Sequence, residues 1–179
     1  MIVIERFRDE HLPQLTSLVN LHLGALAPGW AVPAPVLAAL LVRNPGEYVV
    51  DPWVRERATL CALEGGRLVA AAHLLRYGEA AEVGQAYRAA AEINWLYSLP
   101  ANSEAAERLL TVAEQQIGVW QPSAVWFEGG ALLGPFAGIP DTWPHLAALL
   151  AAAGYQPDPA QDEAVFGGWL GDLPARLAP

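Results

Sequence analysis

Two apolar runs, Ala58–Glu64 and Arg67–Arg76, meet at Gly65-Gly66, and this pairing constrains the chain more than any other feature. Adjacent glycines reach the positive φ angles of a type I′ turn without a Cβ penalty, so the flanking runs read as an antiparallel hairpin. Glu64 and Arg67 then face each other across the turn. A hairpin of this kind belongs to a sheet, and the segments on either side decide the class of fold.

Before it, Ile2–Phe7 alternates as a first strand, and Asp9 is placed to cap a helix with Leu12, Leu15, Val19, His22 and Leu26 on one face. Ala27-Pro28-Gly29-Trp30 breaks that helix, and Pro33-Ala34-Pro35 opens a second one through Val36–Val42, ended by Asn44-Pro45-Gly46. After the variable stretch Tyr77–Ala90, the run Glu92–Leu99 reads as a strand bounded by Pro100. Ser103 then caps a helix whose apolar face is Ala106, Leu109, Leu110, Ala113 and Ile117, with Glu107 one residue past the capping-box place. Ala124–Phe127 is a further strand, and Gly129–Pro140 is too rich in Gly and Pro for regular structure, so it reads as a lid or wall. Asp141 caps a helix Thr142–Ala153 that tolerates Pro144 in its first turn and ends at Gly154; Glu163–Leu170 makes a last strand. The order β, α, α, hairpin, β, α, β, α, β predicts one mixed α/β domain over residues 1–170, with 171–179 a tail of linker-like composition.

Composition narrows the function. With 54% hydrophobic and 16% charged residues the chain is no disordered segment, and its apolar runs fall short of the ~18 residues of a transmembrane helix. The N-terminus does not continue as a signal peptide and Cys61 is the only cysteine, so a cytoplasmic location is expected. A formal charge of −9, with no lysine at all, argues against nucleic acid and favours small cationic partners such as amines.

Two segments carry a family resemblance: Ala91–Pro100 followed by a helix, and Leu149-Leu150-Ala151-Ala152-Ala153-Gly154-Tyr155. They are similar to the central strand of the GNAT superfamily of N-acetyltransferases and to the helix that ends before that family's final strands. The resemblance implies a mixed sheet with splayed central strands. It also implies that acetyl-CoA lies against the strand backbone at Leu96 and Ser98, where an amide aimed at the reacting oxygen contributes ~3 kcal/mol. The chain departs from the family where a glycine-rich loop binds pyrophosphate. Here it reads Pro100-Ala101-Asn102-Ser103-Glu104-Ala105-Ala106-Glu107, without glycine and with two carboxylates. Asn102, Ser103, Ala105 and Ala106 are the positions left to meet phosphate, and Glu104 and Glu107 oppose it.

By the same resemblance Glu92 stands where some members carry a base glutamate, and burial among Trp95, Trp126 and Phe127 would raise its pKa usefully; a surface carboxylate is the plain alternative. The family's helix tyrosine is replaced by Leu150, leaving Tyr97 or Tyr155 as the acid, and Glu128 is placed to contact an amine. His11, His22, His73 and His145 lack metal-ligand spacing and are expected to be satisfied structural residues; Cys61 is expected to be a buried thiol. Trp30, Trp53, Trp95, Trp126 and Trp143 are candidates for one aromatic pocket, though core packing is the plainer expectation. Two functions follow: acetyl-CoA-dependent acylation of a small amine, or a catalytically degenerate domain that binds or packs against a second copy or a linked domain.

Overall fold

The computed structural model describes residues 1–43, 49–128 and 138–156. The expected helix stop at Asn44-Pro45-Gly46, most of the Gly129–Pro140 loop, the strand Glu163–Leu170 and the tail lie outside the described residues.

β1 (Ile2–Arg6) leads through a 3₁₀ turn (Asp9–His11) into α1 (Leu12–Leu26) and α2 (Ala34–Val42). A second 3₁₀ turn (Asp51–Trp53) feeds β2 (Val54–Glu64), β3 (Arg67–Tyr77) and β4 (Ala91–Ser98). α3 (Ser103–Trp120), β5 (Val125–Phe127) and α4 (Pro144–Ala152) follow. The five strands lie in sequence order in one sheet, antiparallel from β1 to β4, and α3 carries the chain across to a parallel β4–β5 pair.

The hairpin forms as the glycines dictate, with Glu64 opposite Arg67 and φ values of 58° and 82° at Gly65 and Gly66. A Cβ at Gly66 would meet nothing within 4 Å, so its need for glycine is purely conformational. Gly66→Ala is expected to cost roughly 1 kcal/mol, seen as a lower urea midpoint with an unchanged slope.

β3 is buried along almost its whole length, with Ala70, Ala71 and Ala72 at its centre. Those small side chains let helices approach closely from both faces. α1 covers one face, where His22 meets Tyr97, and α3 covers the other with Ala105, Ala106, Leu109, Leu110, Ala113 and Ile117. Gln14 ties α1 to the hairpin, accepting the Leu68 N–H at 2.8 Å and donating to the Gly66 carbonyl at 3.4 Å. Among the described residues no helix is long and apolar enough to cross a membrane.

Three expected caps do not form. Arg8, not Asp9, precedes the first turn, and His11 Nδ1 accepts the Arg8 N–H at 3.1 Å. Ser103 is the first residue of α3, and the preceding Asn102 turns its side chain to Glu64 instead of capping. Asp141 caps nothing: α4 begins at Pro144, because a residue before proline is held out of the helical region, and Trp143 has φ −117° and ψ 55°. β2 begins at Val54, earlier than the polar residues Arg55-Glu56-Arg57 suggest, since Tyr77, Arg76 and Leu75 of β3 are there to pair with. The C-terminal stop of α4 is as expected, with Gly154 at φ 90° and the Tyr155 N–H returning to the Leu150 carbonyl at 3.0 Å.

Candidate functional site

Among the described residues β4 is flanked by strands on both sides over its first half. The β5 ladder runs from Ala91↔Val125 to Ile93↔Phe127, and the Glu128 N–H adds one bond to the Ile93 carbonyl at 3.1 Å. Beyond that point no strand among the described residues meets β4 on this side. Against β3 the register steps from Leu74↔Ile93 to His73↔Trp95, so Asn94 is unpaired and forms a β-bulge. The extra residue shifts the alternation and brings Glu92, Trp95 and Tyr97 onto one face. It also sets the backbone direction. The Leu99 N–H donates to Val69 of β3 at 2.8 Å, so Leu96 and Ser98 turn their N–H and C=O groups to the open edge.

At the far end of that edge His145 Nε2–H donates to the Ser98 carbonyl at 2.9 Å. His22 approaches the same carbonyl from α1. Its Nδ1–H donates to the Leu18 carbonyl at 2.9 Å, which leaves a lone pair on Nε2 of the neutral ring. That Nε2 is the only buried side-chain polar atom without a partner among the described residues, although His22 is only 3% exposed. Burial lowers the His22 pKa, and His145 lowers it further, against the neighbouring Leu18 and Ser98 carbonyls. Around the ring stand Tyr97, Trp143 and His145, with centroids 5.0, 5.2 and 5.6 Å away. Trp143 Nε1–H donates to the His22 carbonyl at 3.2 Å, which pins the start of α4 to α1.

At the near end Glu92 is 0% exposed. Asn94 Nδ2–H donates to one carboxylate oxygen at 3.0 Å and Trp126 Nε1–H to the other at 2.8 Å, and the Tyr77 hydroxyl is a third partner. Burial first, and then the Glu128 carboxylate, raise this carboxyl to about 7, against the pull of those three donors. Glu128 itself is exposed. Half-buried Trp53, Tyr87 and Trp126 pack with Tyr77 above the carboxylate, the closest rings being Tyr77 and Tyr87 at 4.9 Å.

The N-terminus of α3 is a different environment. The Ala105 and Ala106 N–H groups both donate to the Asn102 carbonyl at 3.1 Å, and Asn102 Nδ2–H donates to Glu64 at 2.7 Å. Glu104 pairs with Arg108 at 2.7 Å, occupying the nearby cation. The hairpin thus adds a third carboxylate, Glu64, to the two that the sequence places on this helix. An anion bound here would meet carboxylates where the helix dipole alone would favour it.

Of the residues expected at the site, the strand brings Glu92, Leu96, Tyr97 and Ser98 into one line, with Glu128 beside Glu92. Asn102, Ser103, Ala105 and Ala106 sit at the start of α3, two of them buried alanines. Tyr97 is fully buried among Trp95, His22 and Trp143. Tyr155 packs on Phe127, and burial pushes its hydroxyl up to about 12. The tryptophans do not share one pocket: Trp53 and Trp126 join Tyr87, Trp95 and Trp143 join Tyr97, and Trp30 is 40% exposed. The expectation that every histidine is satisfied fails at His22, while it holds at His73, where Thr59 Oγ1 lies 2.8 Å from Nδ1. Burial and Arg57 lower His73 to about 3, so it is neutral. Cys61 is buried, its thiol pushed up to about 12 by burial and by Glu5, and is inert. Among the described residues one group has ligand atoms close enough for a metal, Glu5, Glu10 and His11. Arg8 fills it, pairing with Glu5 at 2.6 Å and Glu10 at 2.9 Å.

The meeting of His22 and His145 is what sequence reasoning missed. The available signal was a histidine within the apolar stripe of α1, which has no other polar residue on that face.

No family model and no curated protein matches the sequence. Solved structures do match. A transcriptional regulator from Bacillus halodurans C-125 has a TM-score of 0.60 and 11% identity, covering 94% of this chain and 100% of its own. A ribosomal-protein-alanine N-acetyltransferase from Brucella melitensis biovar Abortus 2308 has a TM-score of 0.59 and 14% identity, covering 92% and 99%. An aminoglycoside acetyltransferase from an uncultured soil metagenomic sample, solved with sisomicin, has a TM-score of 0.56 and 15% identity, covering 94% of each. Likeness at these identities is a likeness of fold.

Proposed function

We propose that this chain, whose fold is that of the GNAT superfamily, is an N-acyltransferase that moves an acetyl group from acetyl-CoA to a small amine. One observation carries the reading: the backbone of Leu96 and Ser98 faces a strand edge that no described strand covers, in line with a buried glutamate whose pKa stands near neutrality. The amide-bearing arm of acetyl-CoA fits that edge, which offers N–H donors and the orphaned acceptor of His22. Its diphosphate does not fit the start of α3, where Glu64 and Glu104 stand. Bound at β4, acetyl-CoA supplies an acyl carbon activated as a thioester.

The Leu96 N–H, fixed in direction by the bulge, polarises the acyl oxygen and stabilises the charge that develops on it. Glu128, at the surface, receives the ammonium, and the chain's −9 charge favours its approach. Glu92 takes the amine's proton through a bridging water, and its pKa near 7 suits a base working at neutral pH. The C–N bond forms as the C–S bond breaks, and Tyr97, between the two open-edge positions, is assigned to protonate the departing thiolate. A small-molecule amine is the acceptor class because one structural neighbour holds sisomicin.

The test is thiol release from acetyl-CoA in the presence of a panel of small amines. Release that requires an amine is expected, with kcat/KM rising as pH passes through about 7. No amine-dependent release, together with no binding of acetyl-CoA, would sink the reading.

A further inference from the structure

Where β4 is open, each backbone unit offers an approaching amide one donor and one acceptor. At Ser98 that symmetry is broken. Its carbonyl already accepts from His145 Nε2–H at 2.9 Å, while its N–H points to the same open side. Beside it, His22 Nε2 is buried, bears a lone pair and has no partner. A buried acceptor left unsatisfied costs the fold stability, and a ligand N–H would recover that loss. A donor in the ligand adjacent to an acceptor matches Ser98 and His22 together, and a secondary amide has that arrangement. The start of α3, in contrast, carries Glu64 and Glu104, and Arg108 is already paired with Glu104.

Resting on the acyltransferase reading, we infer that the acyl donor is held by its amide arm and not by its diphosphate, with His22 Nε2 accepting the arm's N–H in place of the occupied Ser98 carbonyl. The ring is prepared for this role. Burial keeps it neutral, its Nδ1–H is anchored to Leu18, and Tyr97 and Trp143 hold its plane. His22 is therefore a binding residue on α1, away from the Glu92 end where the amine loses its proton.

Calorimetry of the full chain with acetyl-CoA and with S-acetylpantetheine, which lacks the nucleotide and diphosphate, tests the inference. The two dissociation constants are expected to agree within about threefold, and acetyl-CoA binding to be nearly independent of salt, since no cation cluster grips phosphate. On binding, the ¹⁵N resonance of His22 Nε2 in the wild-type protein is expected to move upfield as it accepts a hydrogen bond. His22→Phe, which keeps the ring shape and removes the lone pair, is expected to weaken both ligands by about tenfold. Tight, salt-sensitive binding of acetyl-CoA with none of S-acetylpantetheine would overturn the inference while leaving the acyltransferase reading in place. An unmoved Nε2 resonance in the wild-type complex would do the same, whatever the variant's folding. Failure of both ligands to bind overturns the two together.

Discussion

Glu92→Gln is expected to slow acyl transfer severely while making the folded chain more stable at alkaline pH. The carboxyl has a pKa of about 7 in the fold against 4.5 when free, because it is buried and faces Glu128. Below pH 4.5 it is neutral in both states and costs nothing. As pH rises from 4.5 through 7 the unfolded chain ionises first, and the fold loses about 3 kcal/mol by the time both forms are charged. Glutamine carries no such loss. It also fits the same neighbours: its carbonyl oxygen accepts from Trp126 Nε1–H, and once the Asn94 amide turns over its own N–H donates to Asn94 Oδ1. The variant's stability advantage over the wild type is therefore expected to be absent at pH 4, to grow across this window and to reach about 3 kcal/mol at pH 8 to 9, measured by urea denaturation. Over the same range kcat is expected to fall about 10²- to 10⁴-fold, and the rise of rate through pH 7 to vanish. A variant that gains stability but keeps its rate and pH profile would show Glu92 to be a buried carboxyl with no part in proton transfer.

Trp143→Ala is expected to be the most damaging single truncation near the site, costing about 3–5 kcal/mol. Trp143 is 1% exposed, and its indole joins three elements: α1 through the bond to the His22 carbonyl, β4 through Tyr97, and the first turn of α4 that it precedes. Removing it leaves a ring-sized void and takes away the bond that fixes the start of α4 to α1. Because the Pro144 start of α4 places His145, the Ser98 bond should loosen as well. Thermal melting is expected to show the stability loss, and the His145 ring resonances to lose the signature of a held hydrogen bond. Loss of less than about 1 kcal/mol would mean that α4 is anchored elsewhere.

Much of the fold was legible because its strongest signals are local. Gly65-Gly66 forces a hairpin whatever surrounds it, Pro100 ends β4, Gly154 ends α4, and the apolar stripe of α3 has one face to bury. The caps were not legible, because polar side chains choose among competing partners: Asn102 finds Glu64 across the hairpin, and His11 satisfies the Arg8 N–H that precedes the first turn. The bulge at Asn94 has no sequence signature, since a register step belongs to two strands at once. At the site, Glu92 and the open-edge positions Leu96 and Ser98 followed from a family resemblance on one strand, and the structure adds the chemistry around them. The missing glycine loop was visible in the sequence; Glu64 as a third carboxylate was not, because it arrives from the hairpin. His22 and His145 are separated by most of the chain, and only the packing of α1 and α4 against the end of β4 places their rings 5.6 Å apart.

Backbone amide resonances followed during a titration with acetyl-CoA test most directly whether the exposed edge of β4 is the acyl-donor site. Saturable shifts at the Leu96 and Ser98 amides, with the Ser103 and Glu104 amides unmoved, are predicted. Shifts confined to the start of α3, or none at either place, would contradict it.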